Sequence, residues 1–586
     1  MTRNFLLITI AIFTLSACAG FGPAAEQSKI VEQTTSHIVK ADSLADAKAA
    51  VASVNGTITH ELGVIRAVGA DLTAAQLAAL REDRTIRRIY GNTRVESAGR
   101  PVKDGNKGTT DDTADGEVAG DAYTEFPSLV GAAQLHDQGV DGLGVTIAIV
   151  DSGIYSGPGI TQDRYALDRI VAVYDATADL LYVPGKGRGA TDFDKFDNDE
   201  NGHGSHVAGV MSSSKLADNG KYNGIAPAAR LVAVKVFDDQ GRGSYADVIR
   251  GIDWIVANRG THNIDIVNMS LSATPRSHYW DDPLNQAVMA AWDAGIVVVA
   301  SAGNSGPFAQ SIGVPGNVPY IITVGAMTDS FTPSVGADDK LATFSAAGPT
   351  YEGFVKPEVV APGGHIVASM SDLDRIAIDY PGFFIGANYY EMSGTSQATA
   401  VVSGIAALIL QMEPGLSPDA VKCKLMHSAK PAIKADGTLA YSVFQQGAGM
   451  VDAQGAVSES TYDCANRGLD IQADLDGTMH FGGRANQDAD GNYYLMGLDG
   501  YLWTDGGVDT NGYLWTDAYL WTDAYLWTDA YLWTDGSLGV NGYLWTDGYL
   551  WTDGYLWTDG YLWTDGYLWT DSLTETMSIN SWVDPE

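Results

Sequence analysis

Five runs, VTIAIV (145–150), LVAVKVF (231–237), DIVNMSL (265–271), GIVVVAS (295–301) and YIITVGA (320–326), are mostly apolar and rich in β-branched residues, and helical stretches such as YADVIRGIDWIVAN (245–258) fall between them. A strand that is apolar on both faces must be covered on both, and strands that alternate with helices run parallel. Residues 126–460 are therefore expected to form an α/β domain, a doubly wound, mostly parallel sheet with helices on both faces.

The 586 residues exceed one ordinary core, so further domains are expected. Before the sheet, SHIVK (36–40) suits a strand, Ser43 can cap a helix through Val54, and Thr73 with Gln76 has capping-box spacing. TIRRIYGNTRVE (85–96) reads as one closing strand, so residues 30–97 form a small α+β unit. Residues 98–125 hold Gly, Asp and Thr with few large apolar residues, as an exposed linker does.

Beyond the sheet, 461–500 reads as an Asp-rich linker and 573–586 as a tail. Between them YLWTD occurs ten times, and its two interruptions are each six residues long, so the phase survives across residues 501–572. An unbroken period of six points to a structural repeat. A solenoid would stack like residues on like, whereas a hairpin meander would swap faces at each strand. The repeats can serve as a solubilising accessory or as a binder of glycan or a cell surface.

At the N-terminus, an apolar run from Phe5 to Leu15 after Arg3 is too short to span a bilayer and reads as an export signal over residues 1–19. LSAC (15–18) resembles a lipobox, which would place a lipid on Cys18, while ACA (17–19) also fits an ordinary cleavage site. The remaining cysteines, Cys423 and Cys464, are an even pair that an oxidising compartment would allow to join. A net charge of -37, from 72 acidic and 35 basic residues, argues against nucleic acid and anionic membranes as partners.

Three short motifs carry chemistry. AIVDSG puts Asp151 at the end of an apolar run, NGHGSHVAG supplies His203 and His206, and MSGTSQATAVVSG sets Ser396 at the start of a small-residue helix. Each alone can be structural. Together they make a set that acyl transfer requires, because a serine hydroxyl needs a neutral imidazole to take its proton and the imidazole needs a carboxylate to fix its tautomer.

With that order of motifs, and with VVVASAGNSG (297–306), IVNMSLS (266–272), VPGNVPYIITVGA (314–326), LATFSAAGPTYEGFVKPEVVAPG (341–363) and GAGMVDAQGAV (447–457) following in sequence, the chain resembles the subtilisin-like serine proteases, the subtilases. The resemblance implies a subtilisin-like fold and an endopeptidase in which Ser396 attacks, His203 transfers the proton and Asp151 orients His203. Asn304 would stabilise the oxyanion. It also implies that substrate adds as a strand between Gly241–Gly243 and Ser270–Leu271–Ser272, above a primary pocket floored from Ala300. His206 is expected to pack, not react.

Residues 30–97 resemble a subtilase propeptide, which would inhibit by laying its tail in the cleft and be released by autocleavage in the linker. The chain would then be an exported zymogen, tethered until processed if Cys18 carries a lipid, with its own propeptide and protein substrates as partners. Ser272 stands where the family has Gly, which would narrow the pocket; Gln397 and Ala400 stand where Met and Pro are usual. No cofactor is implied for the chemistry. The loop bearing Asp192, Asp194, Asp197, Asp199 and Glu200, and more weakly NQDADGN (486–492), suits structural calcium. A surface-display or glycan-binding protein that uses its repeats is the alternative reading.

Overall fold

The computed structural model describes residues 33–97, 124–183 except 158, 196–328 except 218, 339–495 except 435–438 and 488–490, and the strands of residues 502–576. Residues 34–97 begin with β1 (Thr34–Ala41), β2 (Thr57–Leu62), β3 (Ala67–Thr73) and β4 (Ile86–Gly91), an antiparallel sheet in the order β2-β3-β1-β4. The helix Leu44–Ser53 is capped by Ser43, and Ala74–Glu82 starts with the Thr73–Gln76 capping box in full. Val39, Val51, Val68, Leu72 and Leu80 close a separate core between helices and sheet.

The stretch 85–96 is not one strand. It breaks at Asn92–Thr93, and β5 (Arg94–Ser97) leaves the small sheet altogether. Asn92 Oδ1 accepts from Ala246 N at 2.9 Å and Thr93 O from Tyr245 N at 2.8 Å, so backbone donors at the start of a neighbouring helix draw the chain away.

The large domain contributes β6 (Thr146–Asp151), β7 (Ile170–Asp175), β8 (Leu180–Tyr182), β9 (Arg230–Lys235), β10 (Arg242–Ser244), β11 (Ile264–Met269), β12 (Leu271–Ser272), β13 (Val297–Ser301), β14 (Ile322–Thr328), β15 (Lys340–Leu341) and β16 (Val359–Pro362). Nine of these form one sheet, β15-β14-β13-β11-β6-β9-β7-β8 with β16 on β14. The pairs are parallel except at β14–β15 and β7–β8. Every residue of β6 and β13 is buried, and successive residues face opposite ways, so both faces are covered. Among the described residues, Thr395–Met412 alone has the length and hydropathy to cross a membrane; it is 89% buried as a core helix.

Residues 461–495 are not a linker. Asp474 accepts hydrogen bonds from the buried phenols of Tyr279 (2.6 Å) and Tyr320 (2.9 Å) and pairs with His480 (2.7 Å), while Phe481, Arg484 and Leu495 are buried. An acidic residue within the expected linker is here a buried acceptor. The large domain therefore runs past residue 460 to at least Leu495. Cys423 and Cys464 form a disulfide with a Cα–Cα distance of 5.3 Å across 41 positions, which contributes about 4 kcal/mol on the chain-entropy view.

In the C-terminal repeats each strand pairs in parallel with the strand 18 residues later, giving three parallel sheets. Tyr513 opposes Tyr531, Leu514 opposes Leu532, Trp515 opposes Trp533, and Tyr531 in turn opposes Tyr549. Paired strands are thus three hexads apart, with like residues in register.

Candidate active site

Asp151 ends β6, and His203 opens the helix His203–Ser212. Both side chains are fully buried, and His203 Nδ1 lies 2.7 Å from Asp151 Oδ1. A carboxylate only accepts, so Nδ1 carries the proton and Nε2 is the bare acceptor. Among the described residues Nε2 has no hydrogen-bond partner. Burial lowers the His203 pKa, but the Asp151 charge and hydrogen bond, aided by Asp199, outweigh it and leave the imidazole above its usual 6.5.

Two neighbours hold this pair. Ser152 donates N–H to Asp151 Oδ1 at 2.8 Å, and its hydroxyl accepts from Gly204 N at 2.9 Å, tying strand to helix. Asp199 accepts from Gly202 N (2.8 Å), Ser205 N (2.8 Å) and Ser205 Oγ (2.6 Å), so it caps the His203 helix. Glu200 pairs with Lys235 at 2.5 Å. Asp197 accepts from Asp199 N at 3.1 Å, so three carboxylates of the acidic loop are engaged with the protein; Asp192 and Asp194, like Asp488 and Asp490 of the second calcium candidate, lie outside the described residues. Among the described residues no three candidate ligands converge on a metal position.

Ser396 is the second residue of the helix Thr395–Met412, where backbone N–H groups have no acceptor within the helix. Its Oγ donates to Ser270 O at 3.3 Å, not to His203 Nε2. Ser270 Oγ returns a bond to Ser396 O at 3.0 Å and accepts from Asn268 Nδ2, and Asn268 Oδ1 takes the Ser403 hydroxyl. Asn304 Oδ1 accepts from Thr395 N (3.0 Å) and Thr395 Oγ1 (2.8 Å), which fixes the carboxamide with Nδ2 as its donor end.

The expected substrate edges hold a strand. β5 lies antiparallel between β10 and β12: Gly243 opposes Val95, Arg242 and Ser272 oppose Glu96, and Leu271 opposes Ser97. Ser97 N donates to Gly241 O at 3.1 Å. The edge needs its glycines. Gly241 has φ of 69°, and a Cβ on Gly243 would lie 2.3 Å from Val236 O. Ala300 is buried in β13, paired with Met269 and Thr323.

A family model, Subtilase family, matches residues 142–450. The chain belongs to the subtilase family of subtilisin-like serine endopeptidases. This subtilase is 40% identical to serine protease AprX of Bacillus subtilis over 55% of its own length and 67% of the relative's. It is 28% identical to subtilisin E of the same organism over 77% of its length and 96% of the relative's. Among solved structures, fervidolysin from Fervidobacterium pennivorans shares the fold, with a TM-score of 0.54 at 22% identity over 74% of this chain; the match spans 62% of the fervidolysin chain.

Sequence reading of the subtilase missed the supports. His206 is fully buried; Nε2 bonds Tyr390 O at 3.1 Å, Gln397 Nε2 meets Nδ1 at 3.3 Å, and burial drives its pKa down to about 4. It stays neutral and packs. Gln397, at the position where the family pattern has Met, thus bonds a residue three positions from His203 in sequence. The polarity at 397 beside a buried histidine was the only signal for that bond.

Proposed function

We propose that this subtilase is an exported endopeptidase that hydrolyses protein substrates with Asp151, His203 and Ser396 and is made as a zymogen inhibited by residues 30–97. The observation that carries the reading is β5, held as a strand between β10 and β12, with β12 starting one residue after Ser270, whose carbonyl accepts from Ser396 Oγ.

In this reading Ser396 Oγ turns from Ser270 O to the bare Nε2 of His203, loses its proton there and attacks the scissile carbonyl. The imidazolium that forms faces Asp151, and gives the proton to the leaving amine. Asn304 Nδ2 and the N–H of Ser396 donate to the oxyanion. Water then repeats the sequence on the acyl-enzyme.

The small domain would be held by more than its tail. Asp253 accepts from Gly63 N and Val64 N, His60 Nε2 meets Asp247 at 3.0 Å, Arg88 pairs with Asp281 at 3.0 Å, and Lys40 donates to Gln286 at 2.6 Å. Cleavage after the tail would leave these contacts to be lost in a second step.

Export is supported by the disulfide, which persists in oxidising compartments. The signal and Cys18 lie outside the described residues; a lipid there would be shed with residues 30–97 on processing. The repeats would serve as an accessory segment. Casein hydrolysis by the full chain and by Ser396→Ala tests the proposal: activity confined to the first supports it, and equal inertness or equal activity refutes it.

A further inference from the structure

β5 acts as a ruler for any bound strand. Leu271 opposes Ser97, so the next residue of an extended substrate opposes Ser270, whose carbonyl oxygen accepts from Ser396 Oγ. That residue precedes the scissile bond. Directly opposed residues of antiparallel strands share a face, and alternate residues along a strand return to it. The substrate residue opposite Ser270 therefore projects to the same side as Ser272.

Two glycines open a slot beside Ser272. Gly313 N bonds Ala302 O at 3.0 Å, and Val314 pairs with Ala273 through bonds of 2.8 and 2.9 Å, so the segment is pinned against both β13 and the chain after β12. Gly303 follows β13 on the other wall. The slot is refilled by Ser272. A Cβ built on Gly313 would lie 1.9 Å from Ser272 Oγ and 3.3 Å from its Cβ, and one built on Gly303 would lie 3.0 Å from Oγ and 3.7 Å from Cβ. Turning the hydroxyl away leaves the Cβ in place. Buried Ala302, Ile312 and Ala346 pack together next to these glycines.

Resting on the proteolytic reading above, we propose that Ser272 restricts the residue before the scissile bond to glycine, alanine or serine. In the sequence Ala98 follows Ser97.

Peptides Arg-Val-Glu-Ser-X-p-nitroanilide, which copy β5 and differ only in X, test this on the full chain after maturation. One added methylene in a fitted pocket changes kcat/KM by 10- to 200-fold, so alanine at X should exceed phenylalanine by about 100-fold or more. Ser272→Gly should shrink that ratio by about 10-fold or more. Phenylalanine taken as fast as alanine, while Ser396→Ala is inert, overturns the restriction alone; inertness of both enzymes on every peptide overturns the proteolytic reading and the restriction with it. Should Ser272→Gly not fold, cleavage sites of the unaltered enzyme in a denatured protein decide: cuts after Gly, Ala and Ser support the restriction, and cuts mainly after Leu, Phe or Tyr overturn it.

Discussion

Ser97 gives its backbone N–H to the carbonyl of Gly241 at 3.1 Å, although 144 positions of chain separate the two residues. That bond joins the end of the small domain to the substrate edge of the large one. It holds β5 in register with β12, where Ser97 opposes Leu271, the residue after Ser270, whose carbonyl accepts from Ser396 Oγ.

On the proposed mechanism the Asp151–His203 contact sets the acid limb of activity. Only neutral His203 can accept a proton, so kcat/KM should fall as pH drops through its pKa, which lies above 6.5. Asp151→Asn removes the charge that raises that pKa and the acceptor that selects the tautomer. It should lower kcat by about 10⁴-fold and shift the limb to lower pH. A pH profile of both enzymes on one peptide measures this; an unmoved limb contradicts it.

Asn304→Ala removes the proposed oxyanion donor and leaves Thr395 N and Oγ1 without their acceptor. We expect a fall of about 10²- to 10³-fold in kcat with little change in KM, since the lost bond forms only in the transition state. A change confined to KM would contradict the role.

Gln397 should confer oxidative resistance. A thioether next to the nucleophile is the group that peroxide attacks, and here an amide bonded to His206 replaces it. Activity should survive dilute hydrogen peroxide, and Gln397→Met should lose it; rapid inactivation of the unaltered enzyme with Ser396 chemistry impaired contradicts this.

Asp374 makes stability depend on alkaline pH. Burial first, then the charges of Asp199 and Asp197, push its carboxyl from 3.8 up to about 9. Its folded pKa is raised, so its contribution is full below about 4 and is lost as pH rises through about 9. Asp374→Asn keeps an acceptor for Ser371 N and removes the titration. Measured in a Ser396→Ala background to prevent self-digestion, Tm should drop less between pH 5 and 9 in the variant; equal drops contradict the assignment.

The sheet and the contact of Asp151 with His203 were readable because each rests on local pattern. Apolar β-branched runs mark strands covered on both faces, and Asp151, His203 and Ser396 stand at element ends within short motifs. What escaped depends on distant partners. β4 and β5 read as one strand because only the helix start at Tyr245 and Ala246 separates them. Asp474 fell within the stretch read as an Asp-rich linker because its phenols, Tyr279 and Tyr320, lie more than 150 positions away. The Ser272 substitution was visible, but the direction of its side chain between Gly303 and Gly313 needed coordinates.

The most direct test is the N-terminal sequence of the chain after expression, for the unaltered protein and for Ser396→Ala. The β5 register predicts that the unaltered chain is cut after Ala98 and begins at Gly99, while Ser396→Ala keeps residues 30–97 joined to the rest. Processing of Ser396→Ala at the same bond and to the same extent would contradict the account.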